Sequence, residues 1–149
     1  EAKIVKSNPP IPKSVLCLDV GQKRVGLAGC DPLGLTVTSL PAVHRGKIEE
    51  DIIKFKKFCN ERKVIALVVG IPLDEKGSET KQAKYCKNYG LKVASILDLP
   101  IAWVNEHSST WEAAEINNLH SDRTGRLDSA SAVLLLQQWL KEGPDIKPV

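Results

Sequence analysis

Residues 14–30 read SVLCLDVGQKRVGLAGC, and the fold follows from them. Ser14–Asp19 is a short, apolar, β-rich run, the pattern of a strand covered on both faces. Gly21 permits a tight turn, and Lys23 and Arg24 lead into a second apolar run, Val25–Cys30. Asp31, Pro32 and Gly34 mark another turn. Leu35–Leu40 then alternates and is rich in β-branched residues, which predicts a third strand. Three strands in such quick succession form an antiparallel meander.

Downstream, the period changes. Ile48, Ile52, Phe55 and Cys59 give Lys47–Arg62 one apolar helical face. Val64–Val69 is a continuous apolar run, read as a buried parallel strand. A helix is expected from Ser78 to Leu97, with Ala83, Cys86, Val93 and Leu97 inward and Gly90 weakening its middle. Ile101–Asn105 is a fifth strand. Ser109 and Glu112 have the spacing of a capping box, which would open a helix to Leu119. A polar loop, residues 120–126, precedes a last helix over Leu127–Leu140. The order βββαβαβαα predicts an α/β protein with a mixed five-stranded sheet, the meander extended by two parallel strands.

The chain's 149 residues suit one domain, expected over 14–142. Residues 1–13 carry three prolines and no periodicity and read as a flexible arm; residues 143–149 read as a tail. Hydrophobic residues make up 42% of the chain and charged residues 26%, as in ordinary globular proteins, and no apolar run approaches membrane-spanning length. A net charge of +3 is too small to indicate a nucleic-acid partner by itself, so any basic surface must come from local clustering. Cys17, Cys30, Cys59 and Cys86 lack metal-ligand spacing, which argues against zinc and for a reducing, intracellular compartment. With no methionine and a start at Glu1, the reading expects a processed or shortened chain. That leaves the cytoplasm, or a plastid or mitochondrion after removal of a transit peptide.

Sites in open α/β sheets form at the carboxyl ends of strands. Asp19 ends the first strand, Glu106 follows the fifth, and Asp128 opens the last helix, so the three acids can converge if the first and fifth strands lie near the sheet centre. Converging carboxylates suit hard divalent cations and phosphodiester cleavage. Each acid also has a plainer role: Asp19 as a turn residue before Gly21, Glu106 as a solvated strand end, Asp128 as a first-turn acid on a helix. Lys23 and Arg24 beside Asp19, Gly77 and Ser78 at a helix start, and Arg123 and Arg126 flanking Asp128 are candidate contacts to a nucleic-acid backbone. Their plainer reading is ordinary exposed charge. Trp103 and Trp139 are read as core, and His44 and His120 as surface.

Local sequence adds specificity. Residues 18–28, LDVGQKRVGLA, closely resemble the D-x-G-x-K-R-[IV]-G opening of the YqgF/RuvX family. Residues 68–73, VVGIPL, followed by Gly77, Ser78 and Glu79, resemble its V-V-G-[LI]-P-L…G-S-E segment. Residues 127–132, LDSASA, and 135–140, LLQQWL, resemble its closing motif. The similarity runs in order from Ser14 to Leu140. It implies a ribonuclease H-like domain related to Holliday junction resolvases, and a nuclease acting on branched DNA or on the precursor of small-subunit ribosomal RNA. It also implies catalytic and metal-binding roles for Asp19, Glu106 and Asp128, with Mg²⁺ or Mn²⁺ as cofactor. A resolvase is expected to act as a symmetric dimer, because a four-way junction needs two cuts.

Where the family usually has D-E-R-L-[ST]-[ST], this chain has Asn105, Glu106, His107, Ser108, Ser109 and Thr110. The acid is kept, but the Arg that would hold a phosphate bidentately is a His, only partly charged at neutral pH. A second hypothesis is therefore a nucleic-acid-binding or ribosome-assembly factor with little catalysis. A third, ranked below both, is a nucleotide-binding phosphotransferase, because the Asp19–Gly21 turn resembles the first phosphate loop of the actin and sugar-kinase family. Such proteins close two domains on the nucleotide, and this chain has room for one.

Overall fold

The computed structural model describes residues 14–72, 76, 78–105 and 129–142. The proposed arm and tail, and the helix expected over 109–119, lie outside these. The described elements are β1 (Val15–Val20), β2 (Arg24–Cys30), β3 (Val37–His44), α1 (Ile48–Arg62), β4 (Ala66–Ile71), α2 (Lys81–Leu97), β5 (Ile101–Asn105) and α3 (Ala130–Glu142).

The strands form one sheet in the order β3-β2-β1-β4-β5. β1 pairs antiparallel with β2 and parallel with β4, and β5 extends the parallel side. The expected meander with two parallel strands is therefore what forms, with β1 at the centre of the sheet. β5, also expected near the centre for the three acids to converge, is an edge strand, paired among the described strands only with β4. β1 and β4 are covered on both faces, which is why their sequences run apolar without alternation. Leu16, Leu18, Leu67, Val69 and Ile101 face α1 and α2 in one core layer. Val15, Cys17, Ala66, Val68, Ala102 and Val104 face α3 in the other, with Leu135, Leu136 and Trp139.

Two boundaries move for identifiable reasons. The sequence predicts that β3 stops at Leu40, ahead of Pro41, but the strand continues to His44. β3 is an edge strand, where a residue without an N–H is tolerated. Between the Val25–Val43 and Leu27–Leu40 pairs the register shifts, so that Pro41 and Ala42 oppose Gly26 alone. α2 begins at Lys81 rather than Ser78, because Thr80 is its cap: the Thr80 hydroxyl accepts from the Ala83 N–H at 3.0 Å and donates to the Pro72 carbonyl at 3.0 Å. Gly90, which looks like a weak point in sequence, sits where α2 crosses the sheet. A Cβ there would lie 3.1 Å from a Val69 methyl. Trp139 is buried, Trp103 is packed on the first core layer and His44 is exposed, as expected.

On the opposite face, α3 lies so close to β4 that a Cβ on Gly70 would come within 2.4 Å of Leu135 Cδ1. Leu135 is fully buried and has little room to turn away. Gly70→Val is therefore expected to cost about 1–3 kcal/mol by overpacking. Because Leu135 is the residue in the way, Gly70→Val with Leu135→Ala should lose less than the two single losses added together. Urea denaturation of the three variants checks this; additive losses would mean that the two residues do not compete for the same space.

Candidate active site

The carboxyl ends of β1, β4 and β5 lie on one edge of the sheet, because these strands are parallel. The start of β2 and the end of β3 reach the same edge. Asp19 is the penultimate residue of β1. By strand alternation its side chain shares a face with Val15 and Cys17, the face covered by α3. Its cross-strand partner on β2 is Gly26. On the other side the parallel register carries Leu18–Val69 on to Gly70. Both neighbours lack side chains; Leu135 packs over Gly70, and Gly26 lines the open side. The carboxylate opens on a cleft of about 430 Å³ lined by Asp19, Gly21, Gln22, Lys23, Arg24 and Gly26.

Burial pushes the Asp19 carboxyl up from the usual 3.8 to about 6. Desolvation is the cause, since an ionised carboxylate loses hydration there. Among the described residues no cationic side chain forms an ion pair with it. Lys23 and Arg24 are exposed on the cleft rim, with Arg24 facing His44 across the β2–β3 pair. The site thus combines a desolvated acid with cationic side chains a few residues along the same turn.

Of the other residues singled out in sequence, Ser78 is exposed between β4 and α2, at the same sheet edge. Gly77, Glu106, Arg123, Arg126 and Asp128 lie outside the described residues. Glu106 follows directly on Asn105, the last residue of β5, and Asp128 directly precedes Ser129. Among the described residues no three potential metal ligands come together.

Two residues that sequence reading passed over are built into this edge. Ser129 is fully buried, and its hydroxyl accepts from the Leu27 N–H at 2.9 Å and donates to the Leu40 carbonyl at 2.6 Å. It fills the gap left by the register shift and ties the start of α3 to β2 and β3, one residue from the Gly26 position opposite Asp19. Arg45, just past β3, donates from Nη1 to the Gly21 carbonyl at 3.0 Å, and its own N–H donates to the Lys23 carbonyl at 2.8 Å. No local pattern marks either residue, because their partners lie far away in sequence.

Comparison with known proteins is consistent with this geometry. Residues 13–142 match the family described as RuvX, Holliday junction resolvase. A protein of Parasynechococcus marenigrum (strain WH8102), carrying the name "Putative pre-16S rRNA nuclease", is 60% identical over 140 residues, covering 94% of this chain and 89% of that one. A protein of the same name from Prochlorococcus marinus (strain MIT 9313) is 57% identical over 140 residues, covering 94% and 87%. Among solved structures, RuvC of T. thermophilus in complex with a Holliday junction substrate superposes with a TM-score of 0.56. It is 14% identical, with 92% of this chain and 99% of that chain covered. At that identity the likeness speaks to the fold, which is ribonuclease H-like.

Proposed function

This chain belongs to the RuvX family, and we propose that it is a divalent-metal-dependent endonuclease acting on structured nucleic acid, with the precursor of small-subunit ribosomal RNA as its principal substrate. The observation that carries the reading is Asp19: a desolvated carboxylate on the central strand, opening on a cleft whose other walls include Lys23 and Arg24. The names carried by relatives at 57% and 60% identity favour ribosomal RNA over branched DNA. We take residues 14–142 as the nuclease domain and an intracellular location as part of the same reading. The four cysteines, all buried and none in a disulfide, are compatible with that location.

The donor chemistry fits Mg²⁺ or Mn²⁺. Both take oxygen ligands, and an oxygen acid whose charge is poorly solvated gains most from a cation. In this proposal Asp19 is the central ligand, with Glu106 and Asp128 completing the set. When bound, the cation would stabilise charge on the phosphate and make water a better nucleophile. Lys23, Arg24 and Ser78 would bind the nucleic-acid backbone, joined by Gly77, Arg123 and Arg126, and hold the scissile phosphate against Asp19. Ser129 would fix the start of α3, and with it the adjacent Asp128. Gly26, opposite Asp19 on β2, lines the same cleft and puts no side chain into it.

Purified protein should cleave precursor ribosomal RNA in Mg²⁺ or Mn²⁺, lose that cleavage in EDTA, and act more slowly on a four-way DNA junction. Absence of metal-dependent turnover on both substrates would remove the reading. The departure at Asn105 and His107 favours a second reading, a factor that binds ribosomal RNA with little catalysis. Salt-dependent binding without turnover would be its signature.

A further inference from the structure

The turn that lines the cleft is held from behind by a cation not otherwise assigned a role. The Arg45 guanidinium lies 4.4 Å from the ring centroid of Tyr89 and 5.0 Å from that of Tyr85, both on α2. Tyr89 is itself fixed: its hydroxyl bonds Asp51 Oδ2 at 3.1 Å, and Asp51 Oδ1 accepts from the Gly46 N–H at 3.1 Å. Asp51 is buried, and its two oxygens are engaged by the tyrosine and by the backbone next to Arg45. Among the described residues no carboxylate forms an ion pair with Arg45, and its Nε is buried with no partner. A guanidinium held by two ring faces rather than by a direct ion pair has its plane fixed.

That fixed group points Nη1 at the Gly21 carbonyl, while the Arg45 N–H holds the Lys23 carbonyl. The Cys86 thiol donates to the Val20 carbonyl at 3.6 Å, and the Gly21 N–H closes the turn on the Arg24 carbonyl at 2.9 Å. Three successive anchors therefore reach this turn from β3 and α2. Among the described residues, only Arg45 bonds the Gly21 carbonyl, just past the point at which the chain leaves β1.

We propose that Arg45, clasped by Tyr89 and Tyr85, is a positioning residue that fixes the Gly21 peptide and thereby the turn presenting Lys23 and Arg24 to the phosphate backbone. The proposal rests on the nuclease reading for its catalytic consequence, but not for its structural one. Lysine cannot reproduce a planar fork between two rings, so Arg45→Lys keeps the charge and removes the clasp.

The test compares wild type, Arg45→Lys, Arg45→Ala and Tyr85→Ala. Tyr85 is partly exposed, so its truncation keeps the device testable if loss of Arg45 prevents folding. Amide hydrogen exchange by NMR reads the hold on the turn at the Gly21 and Arg45 N–H groups. Cleavage of precursor ribosomal RNA in Mg²⁺ gives kcat and KM, and fluorescence anisotropy in EDTA gives RNA affinity without cleavage. Exchange at both amides should accelerate at least about tenfold in Arg45→Lys and Arg45→Ala, and less in Tyr85→Ala. kcat/KM should fall about 10–100-fold, without rescue by lysine, because small misplacements of binding groups cost that much. Wild-type exchange rates in Arg45→Lys would overturn the proposal, as would losses in Arg45→Ala that merely track the unfolded fraction. If wild-type protein cleaves neither RNA nor junction, the nuclease reading fails. The exchange and anisotropy data still decide whether Arg45 sets the turn for binding.

Discussion

Asp19→Asn is expected to lower metal-dependent cleavage at least about 1000-fold while making the metal-free protein more stable. Loss of the central ligand removes several kcal/mol of charge stabilisation, and each 1.36 kcal/mol is tenfold in rate. The gain in stability comes from the same burial that suits the carboxylate to a cation. Burial raises its pKa from 3.8 to about 6. Between about pH 4 and pH 6 the native protein keeps a proton that the unfolded chain has released, so this group favours the fold most at acid pH. As pH rises through 6 that contribution is lost, to a limit of about 3 kcal/mol for a shift of this size. In EDTA, wild-type Tm should therefore fall between pH 4 and pH 7 relative to Asp19→Asn. Mg²⁺ or Mn²⁺ at pH 8 should raise Tm in wild type only. Cleavage by Asp19→Asn at the wild-type rate would refute the assignment, and parallel Tm profiles would refute the burial argument.

The second large effect belongs to Ser129→Ala. The hydroxyl satisfies a backbone N–H of β2 and a backbone carbonyl of β3, and the serine is fully buried. Alanine leaves both groups unpaired where water has no access. Each unpaired group costs about 1–3 kcal/mol, so a total loss of about 2–6 kcal/mol is expected. The start of α3 also loses its tie to the sheet, so cleavage should fall further than the folded fraction does. Guanidinium denaturation and single-turnover rates on the same preparations separate the two. A stability change under about 0.5 kcal/mol would mean that the bridge contributes nothing.

The strands, and a meander extended by two parallel strands, are legible in the sequence, because apolar runs and glycine turns are local signals. The strand order is not, and β5 lies at an edge of the sheet rather than near its centre. Asp19 is legible too, an acid ending an apolar run two residues before Gly21. The end of β3 is not: Pro41 reads as a stop until the strand is known to lie at an edge. The start of α2 is ambiguous for a similar reason, since Ser78 and Thr80 both have the chemistry of a cap and only the Pro72 carbonyl near Thr80 distinguishes them. Ser129 sits in a small-residue stretch that reads as the start of a helix, and its partners are 102 and 89 residues away. Arg45 looks like one more surface cation until Tyr85 and Tyr89 are brought over it by the packing of α2. Long-range partners of this kind leave no pattern in a single chain.

The position of Asp19 on the central strand has a consequence for how the protein fails. β1 is flanked by β2 on one side and β4 on the other, with a core layer on each face. A strand so enclosed belongs to the last part of a domain to open, because no sub-global fluctuation frees it while the sheet survives. Fraying at the edges can cost the protein some of its grip on nucleic acid, but it cannot displace the carboxylate on which the proposed chemistry centres. Heat should therefore abolish that centre in the same cooperative event that melts the sheet, not in a milder step before it.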